Sequence, residues 1–418
     1  MCKWGCDGLS ALPNYKQHNG SENSTDYKNV FMSSLVPLRL RVQNTGPSSS
    51  SKAYEDIWVN STPGSKNFCR PISFEFTKEN KDNTKNLVKN INKQINDLTP
   101  ICIKIEAYSI NISFDMCLTM IDGKVSNAIT STPSYWHCSI CGDKKSDFAS
   151  TSKQRTINKE VLSFGISPLH ARIRFLEHFL HIAYDLKYRS IPGNENTSAR
   201  MNHELVAMRA SEKSRIQDEF KKQTGLIIDK PLPSNGNTND GNTARRFFDD
   251  CEITSAITGI DMELLRTVNI LLMAVNSKQK INSAKFGLYS KKIEEQLISL
   301  YPWKEMTPTV HKVLCHGQTI MEFNILPLGE LSEEAQEARN RDFRHIQLFN
   351  SRKSSRYFQN EDIFNNLMLS SDPVLASIRK QWFCYRNLNV KTKIVSNDFL
   401  DLLDMNTPDT SDYFTKIN

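Results

Sequence analysis

The chain has 418 residues, 39% hydrophobic and 24% charged, with a mean hydropathy of −0.48. That excludes a disordered chain and leaves room for two or three domain-sized units. No run approaches the roughly 20 uninterrupted apolar residues of a membrane helix, and MCKWGCDGLS lacks the apolar core of a signal peptide. A net charge of +7 and a pI near 8.8 fit a polyanionic partner without requiring one.

In chain order, residues 1–130 read as mixed α/β. Leu35–Val42, Ala53–Val59 and Ile72–Thr77 alternate or run apolar, as strands do, and Gly46–Lys52 is a Ser-rich loop. Leu87, Val88, Ile91, Ile95 and Leu98 keep helical spacing, predicting a helix from Lys81 to Leu98. Ile101–Ala107 and Ile112–Ile121 return to strand character. After Trp136 the chain turns helical. His170–Tyr188 places Ile173, Leu176, Phe179, Leu180, Ala183 and Leu186 on one side, and Asn202–Gln223, Ala244–Thr258, Asp261–Val275 and Ser290–Leu300 follow. Pro231–Thr243 is a loop. Leu331–Asn350 is a late helix with Ser332 as its expected N-cap. From Trp382 the signals mix, and the last ten residues read as a loose tail. The expected division is 1–135, 136–325, 326–372 and a C-terminal tail, 373–418.

Ten scattered cysteines point to a reducing compartment with most thiols free, which makes the sequons at Asn23, Asn60 and Asn111 chance matches. Cys138-Ser-Ile-Cys141 offers two thiolates at zinc spacing, and a redox pair is the other reading. His311 and His316, five apart, can converge on one ion or be ordinary core or surface histidines. The 169 residues between Cys141 and His311 exclude a zinc finger. The acids have bland readings too. Asp7-Gly8 and Asp122-Gly123 are turn dipeptides, Glu79 is a helix-start acid, and Glu337 can pair with Arg341.

Taken in order, these strings resemble the Transib transposases and the related catalytic subunit of the V(D)J recombinase. Cys6-Asp7-Gly8 is similar to the family's SCDG string with its first metal-binding Asp. Cys69-Arg-Pro71 and Phe76-Thr-Lys-Glu79 resemble the segment with an additional metal-site Glu. Met120-Ile-Asp-Gly-Lys124 resembles the string around the second Asp. Cys138–Cys141 and His311–His316 resemble the zinc CxxC and HKxLxH strings, and Gly241–Arg245 the GNxAR string. Glu337-Ala-Arg-Asn340, followed by Asn350–Ser354, resembles the stretch with the last catalytic Glu.

The resemblance implies an RNase H-like mixed sheet interrupted by a mostly helical zinc-binding insertion. It implies that Asp7, Glu79, Asp122 and Glu337 hold two Mg²⁺ or Mn²⁺ ions for nicking and transesterification of double-stranded DNA. It implies a structural zinc on Cys138, Cys141, His311 and His316. A homodimer, an accessory protein, a nuclear location and no membrane come with it. Arg245, Arg246, Arg339, Arg341, Arg344, Arg352, Lys353 and Arg356 are expected on a phosphate-binding face, with a solvated helix face as the plain alternative. The chain departs from the family in three places. Only six residues precede Asp7, so the relatives' long upstream region, which recognises terminal repeats and dimerises the protein, is expected to be missing. Thr309 and Glu330 stand where relatives use base-stacking aromatics, with Trp303 a possible substitute. Glu333 and Glu334 rival Glu337, which needs a one-residue shift. Alternatives to the nuclease are a catalytically inactive DNA-binding remnant and a single-zinc hydrolase using His311 and His316.

Overall fold

The structure is a computed structural model and describes residues 1–10, 29–43, 54–106, 108–150, 155–189, 203–232, 236–386 and 396–403. Two compact units emerge. One comprises Met1–Ser131 with Glu330–Thr392, the other Thr132–Gly329 with Lys393–Ile417. The Ser-rich loop and the last ten residues lie outside the described residues.

The first unit opens with β1 (Cys2–Leu9), β2 (Val30–Pro37), β3 (Arg39–Gln43), β4 (Tyr54–Val59) and β5 (Arg70–Glu75). α1 (Lys81–Asn96), β6 (Ile101–Ile105), β7 (Tyr108–Ile112), β8 (Met116–Met120) and α2 (Gly123–Ile129) follow. The main sheet has the order β5-β2-β1-β8. β1 is antiparallel to β2 and parallel to β8, so the sheet is mixed, as expected. Its central strand β1 buries Lys3, Trp4, Gly5 and Cys6 in succession, because both its faces are covered.

The expected strand Leu35–Val42 is in fact two. Pro37 ends β2, and Leu38 and Arg39 donate to the Met1 carbonyl at 3.0 and 3.2 Å, so the chain turns into a separate β3–β4 ribbon. The expected strand Ile112–Ile121 also divides. β6 and β7 form a hairpin of their own, and β8 joins β1 after Asp115 accepts from the Cys2 amide at 2.8 Å. Apolar residues on both sides of Pro37 and of Ser113–Asp115 hid both breaks.

The second unit is helical. It contains α3 (Lys159–Leu162), α4 (Pro168–Arg189), α5 (His203–Thr224), α6 (Gly241–Asp249), α7 (Cys251–Thr258), α8 (Met262–Val275), α9 (Ser283–Leu300) and α10 (Pro308–Phe323). α4 is more than amphipathic. Phe175, Leu176, His178, Phe179, Leu180, Ile182, Ala183 and Tyr184 are all buried, as befits a central helix. The expected helix 244–258 is broken at Asp250, which leaves α-geometry and caps α7 by accepting from the Ile253 amide at 3.0 Å. α9 begins earlier than its apolar spacing predicts, because Asn282 caps it by accepting from the Lys285 amide.

The chain then returns to the first unit as α11 (Glu334–Phe349), α12 (Arg356–Ser370) and α13 (Pro373–Arg386); α14 (Asn397–Leu402) belongs to the second. The 373–418 stretch, expected as a tail, thus holds two helices. The α11 N-cap is Glu333 rather than Ser332, and it makes no side-chain cap bond. Ser332 lies just outside and accepts from the Glu334 amide at 3.2 Å. Phe343 and Ile346 of α11 and Ile363 and Leu367 of α12 bury against Leu9, Val30 and Met32 of the sheet. Phe74 meets Phe343 edge-on at 5.3 Å. This packing sets α11 over the strand that carries Asp7.

Candidate metal centres

The acids gather at one end of the main sheet. Gly5 of β1 is level with Met120 of β8. Both strands run the same way, so Asp7, two residues further along β1, and Asp122, two residues past the end of β8, leave the ladder at the same end of the sheet. Asp7 is inside β1, paired with Met32, and not in a turn. Asp122 lies two residues past β8 and caps α2, its Oδ1 accepting from the Val125 amide at 2.8 Å. Glu79 lies just before Asn80, the N-cap of α1. Its nearness to β1 is steric. A Cβ on Gly8 would stand 2.6 Å from Glu79 Oε2 and 2.8 Å from its Cβ. Electrostatics report the same grouping. The Cys6 thiol is pushed well up, first by burial and then by Asp7, Glu79 and Asp122.

Burial raises the Glu79 carboxyl, and Asp122 adds to the rise. Lys124 opposes it, with Nζ 2.7 Å from Glu79 Oε2. Glu79 Oε1 is buried without a hydrogen-bond partner, as suits an oxygen reserved for a cation.

α11 supplies the rest. Asn340 donates from Nδ2 to Asp7 Oδ2 at 2.5 Å. Its own Oδ1 accepts from Gln336 Nε2 at 3.1 Å, and Gln336 Oε1 accepts from the Ser34 hydroxyl. All three of these residues are buried. The relay therefore runs in one donor sense from β2 through α11 to Asp7. Glu337 stands one turn, about 4.5 Å, before Asn340 on the same side of α11. Glu334 points instead toward Gly64, whose Cβ would be 2.9 Å from Glu334 Oε2. Glu333 is buried beside Lys3 and helps hold up the Lys3 ammonium. Asn340 and Lys124 are the residues that sequence reading missed as participants. Their signals were position alone, three after Glu337 and two after Asp122.

The second centre lies in the helical unit. Ligand atoms of Cys138, Cys141, His311 and His316 all lie within 4.8 Å of one another. Among the described residues the four carboxylates do not draw together that tightly. Cys141 Sγ is 3.5 Å from His311 Nε2, and His316 Nε2 is buried without a partner. The Cys141 thiol, followed by the amides of Cys141 and Ile140, brings Cys138 down to about 7 against the effect of burial, while Cys141 is raised. Two soft thiols and two imidazoles in a buried cluster fit tetrahedral zinc, and four protein donors leave no open position.

Residues 1–132 match the family model of the Recombination-activation protein 1 (RAG1) RNase H domain. Over these residues, about a third of the chain, it resembles the RNase H domain of RAG-like transposases. No curated protein matches it. The family is nuclease-related, and the mixed sheet with its helical unit is the architecture expected of it.

The basic residues singled out from the sequence separate into two groups. Arg245, Arg246, Arg341, Arg344 and Arg352 are exposed. Of these, Arg344 donates to the Ser10 carbonyl at 3.2 Å, Arg246 to the Thr224 carbonyl, and Arg352 pairs with Asp362 at 2.7 Å. Lys353 is half-buried and donates to the Gln347 carbonyl, and Arg356 bonds Gln359 at 2.9 Å. Arg339 must be removed from the phosphate face. It is 0% exposed, and its guanidinium holds Asp342, Ser370 and the Lys66 carbonyl. It is a strut between α11 and α12, and an amphipathic count could not separate it from its exposed neighbours. Glu330, at an aromatic position of relatives, is buried and doubly bonded to Arg39. Trp303 carries the Arg189 guanidinium over its ring at 5.1 Å.

Proposed function

We propose that the chain is a DNA endonuclease and strand transferase in which Asp7, Glu79, Asp122 and Glu337 hold two divalent cations. The observation that carries this reading is the convergence of Asp7, Glu79 and Asp122 around Cys6, beneath a helix tied to Asp7 by Asn340. Mg²⁺ or Mn²⁺ at such carboxylates would activate an attacking water or 3′-hydroxyl and stabilise the leaving 3′-oxygen. The protein's part is positioning. Asp7 is held in β1, Asp122 by capping α2 just past β8, Glu79 by close packing on Gly8, and Glu337 by its place on α11. Lys124 favours the ionised form of Glu79 that a cation needs. Zinc on Cys138, Cys141, His311 and His316 has a structural role in this reading, which favours the nuclease over a single-zinc hydrolase. Double-stranded DNA as substrate, a homodimer acting on paired ends, an accessory protein and a nuclear location belong to the same proposal.

The test is nicking of supercoiled DNA in Mg²⁺ and Mn²⁺, wild type beside Asp122→Asn and Glu337→Gln. Cutting by the wild type alone, abolished by EDTA, supports the reading. A wild type that binds DNA and never cuts replaces it with the non-catalytic remnant.

A further inference from the structure

We propose that Cys315 and Glu294 are positioning residues of the Cys/His metal centre and fix His311 in the tautomer that binds metal. The inference rests on that centre being a zinc site. His311 and Cys315 are four apart on α10, so they stack on one face of it. His311 presents Nε2 toward Cys141, at 3.5 Å, and Nδ1 toward Cys315 Sγ, at 3.2 Å. The Cys315 thiol in turn donates to Glu294 Oε1 of α9 at 3.0 Å. Glu294 is 8% exposed, so water does not compete freely for its carboxylate.

The proton directions follow from the donors available. A carboxylate only accepts, so the hydrogen between Cys315 and Glu294 belongs to the thiol. The sulfur then has lone pairs alone to offer His311, and the proton between them belongs to Nδ1. Nε2 is left with its lone pair facing Cys141, as a metal ligand requires. Phe148 lies flat on the imidazole, with centroids 4.0 Å apart and an interplanar angle of 8°, which opposes rotation of the ring out of this arrangement. Metal-bound histidines commonly give their second N–H to a carboxylate or carbonyl. Here a thiol is interposed between imidazole and carboxylate. Cys315 is not itself one of the four converging donors.

The experiment is zinc competition against a chromophoric chelator, with Co²⁺ absorption as a second reading, on the full chain. Wild type, Cys315→Val, Cys315→Ser and His316→Ala are compared. Cys315→Val, which can neither accept from Nδ1 nor donate to Glu294, is expected to lose about 10–100-fold in zinc affinity. Cys315→Ser, which can do both, is expected to stay near wild type, and His316→Ala to lose a ligand outright. The thiolate-to-cobalt band is expected at full intensity in Cys315→Ser. Wild-type affinity in Cys315→Val overturns the inference alone, and so does a band that falls by one thiolate in Cys315→Ser, since Cys315 would then be a ligand. A wild type that takes up neither zinc nor cobalt removes the metal centre itself and this inference with it.

Discussion

Gly8→Ala should disturb Glu79 although it adds one methyl group to a residue that makes no side-chain contact. Gly8 has an ordinary partner in the ladder, Phe31, and is not among the glycines with positive φ, so backbone conformation does not demand glycine there. Space does. The added Cβ would stand 2.6 Å from Glu79 Oε2 and 2.8 Å from Glu79 Cβ, about 1 Å inside ordinary carbon contact at roughly 3.5–4.0 Å. The carboxylate end could swing away, but the Glu79 Cβ moves only with its backbone. Replacing glycine in a strand by alanine gains about 0.5–1 kcal/mol, whereas overpacking costs about 1–3 kcal/mol. We expect a net loss of about 1–2 kcal/mol in urea unfolding. Displacing a metal-site carboxylate by about 1 Å should slow nicking by as much as ~100-fold. A double-mutant cycle with Glu79→Gly isolates the cause, because that change removes the Cβ as well as the carboxylate. Gly8→Ala should then cost little. A coupling below about 0.5 kcal/mol, with nicking unchanged in the single variant, would refute the claim that close packing positions Glu79.

Asn340→Ala removes the donor to Asp7 Oδ2 and leaves Gln336 without its acceptor; we expect a loss of about 1–3 kcal/mol in chemical denaturation, and slower nicking that Asn340→Asp does not restore, since a carboxylate cannot donate to a carboxylate. Lys124→Met should move the acid limb of the Mn²⁺-dependent pH–rate profile to higher pH, because the ammonium is what opposes the burial-driven rise of the Glu79 carboxyl. Burial brings Lys3 from 10.5 down to about 8, so the unfolded chain holds a proton there that the folded chain has lost between those values. Stability should therefore rise from pH 8 to 10.5 by about 3 kcal/mol more in the wild type than in Lys3→Met, at about 1.36 kcal/mol per unit, as read by urea melts across that range. Arg339→Ala should destabilise the first unit by about 3–5 kcal/mol by stranding its buried partners, whereas Arg341→Ala, on the exposed side of the same helix, should leave the melt within about 0.5 kcal/mol.

What the sequence made legible was local. The strings around Asp7, Asp122, Cys138, His311 and Glu337 each occupy a few consecutive residues, and their spacing is visible in one dimension. What it hid depends on contacts made across the chain. Gly8 reads as half of a turn dipeptide, yet it is a strand residue whose missing side chain makes room for Glu79. Arg339 shares its helix and its charge with Arg341 and Arg344, and only the packing of α12 makes it interior. Lys3 is the second residue of β1. Folding buries it and turns its Nζ onto the Ser332 carbonyl at 2.5 Å, just before α11.

The ligands of each centre are far apart in sequence, and loop entropy explains why that is tolerable. Cys141 and His311 meet across 170 residues, and Asp7 and Asn340 across 333. Closure cost grows only logarithmically with separation, so the longer of these loops costs about 0.6 kcal/mol more than the shorter. An intervening helical unit can therefore grow or shrink with little penalty to either centre. A misplaced ligand has no such latitude, because a displacement of about 1 Å at a catalytic constellation costs orders of magnitude in rate. Precision must then be local, and the structure puts it there. On α11 a relay residue stands three positions from a proposed ligand, Glu337 and Asn340. On α10 one stands four positions away, His311 and Cys315. In each case helical periodicity sets the relay residue beside the ligand's face of the helix, and a partner on another element holds it: Asp7 of β1 for Asn340 and Glu294 of α9 for Cys315.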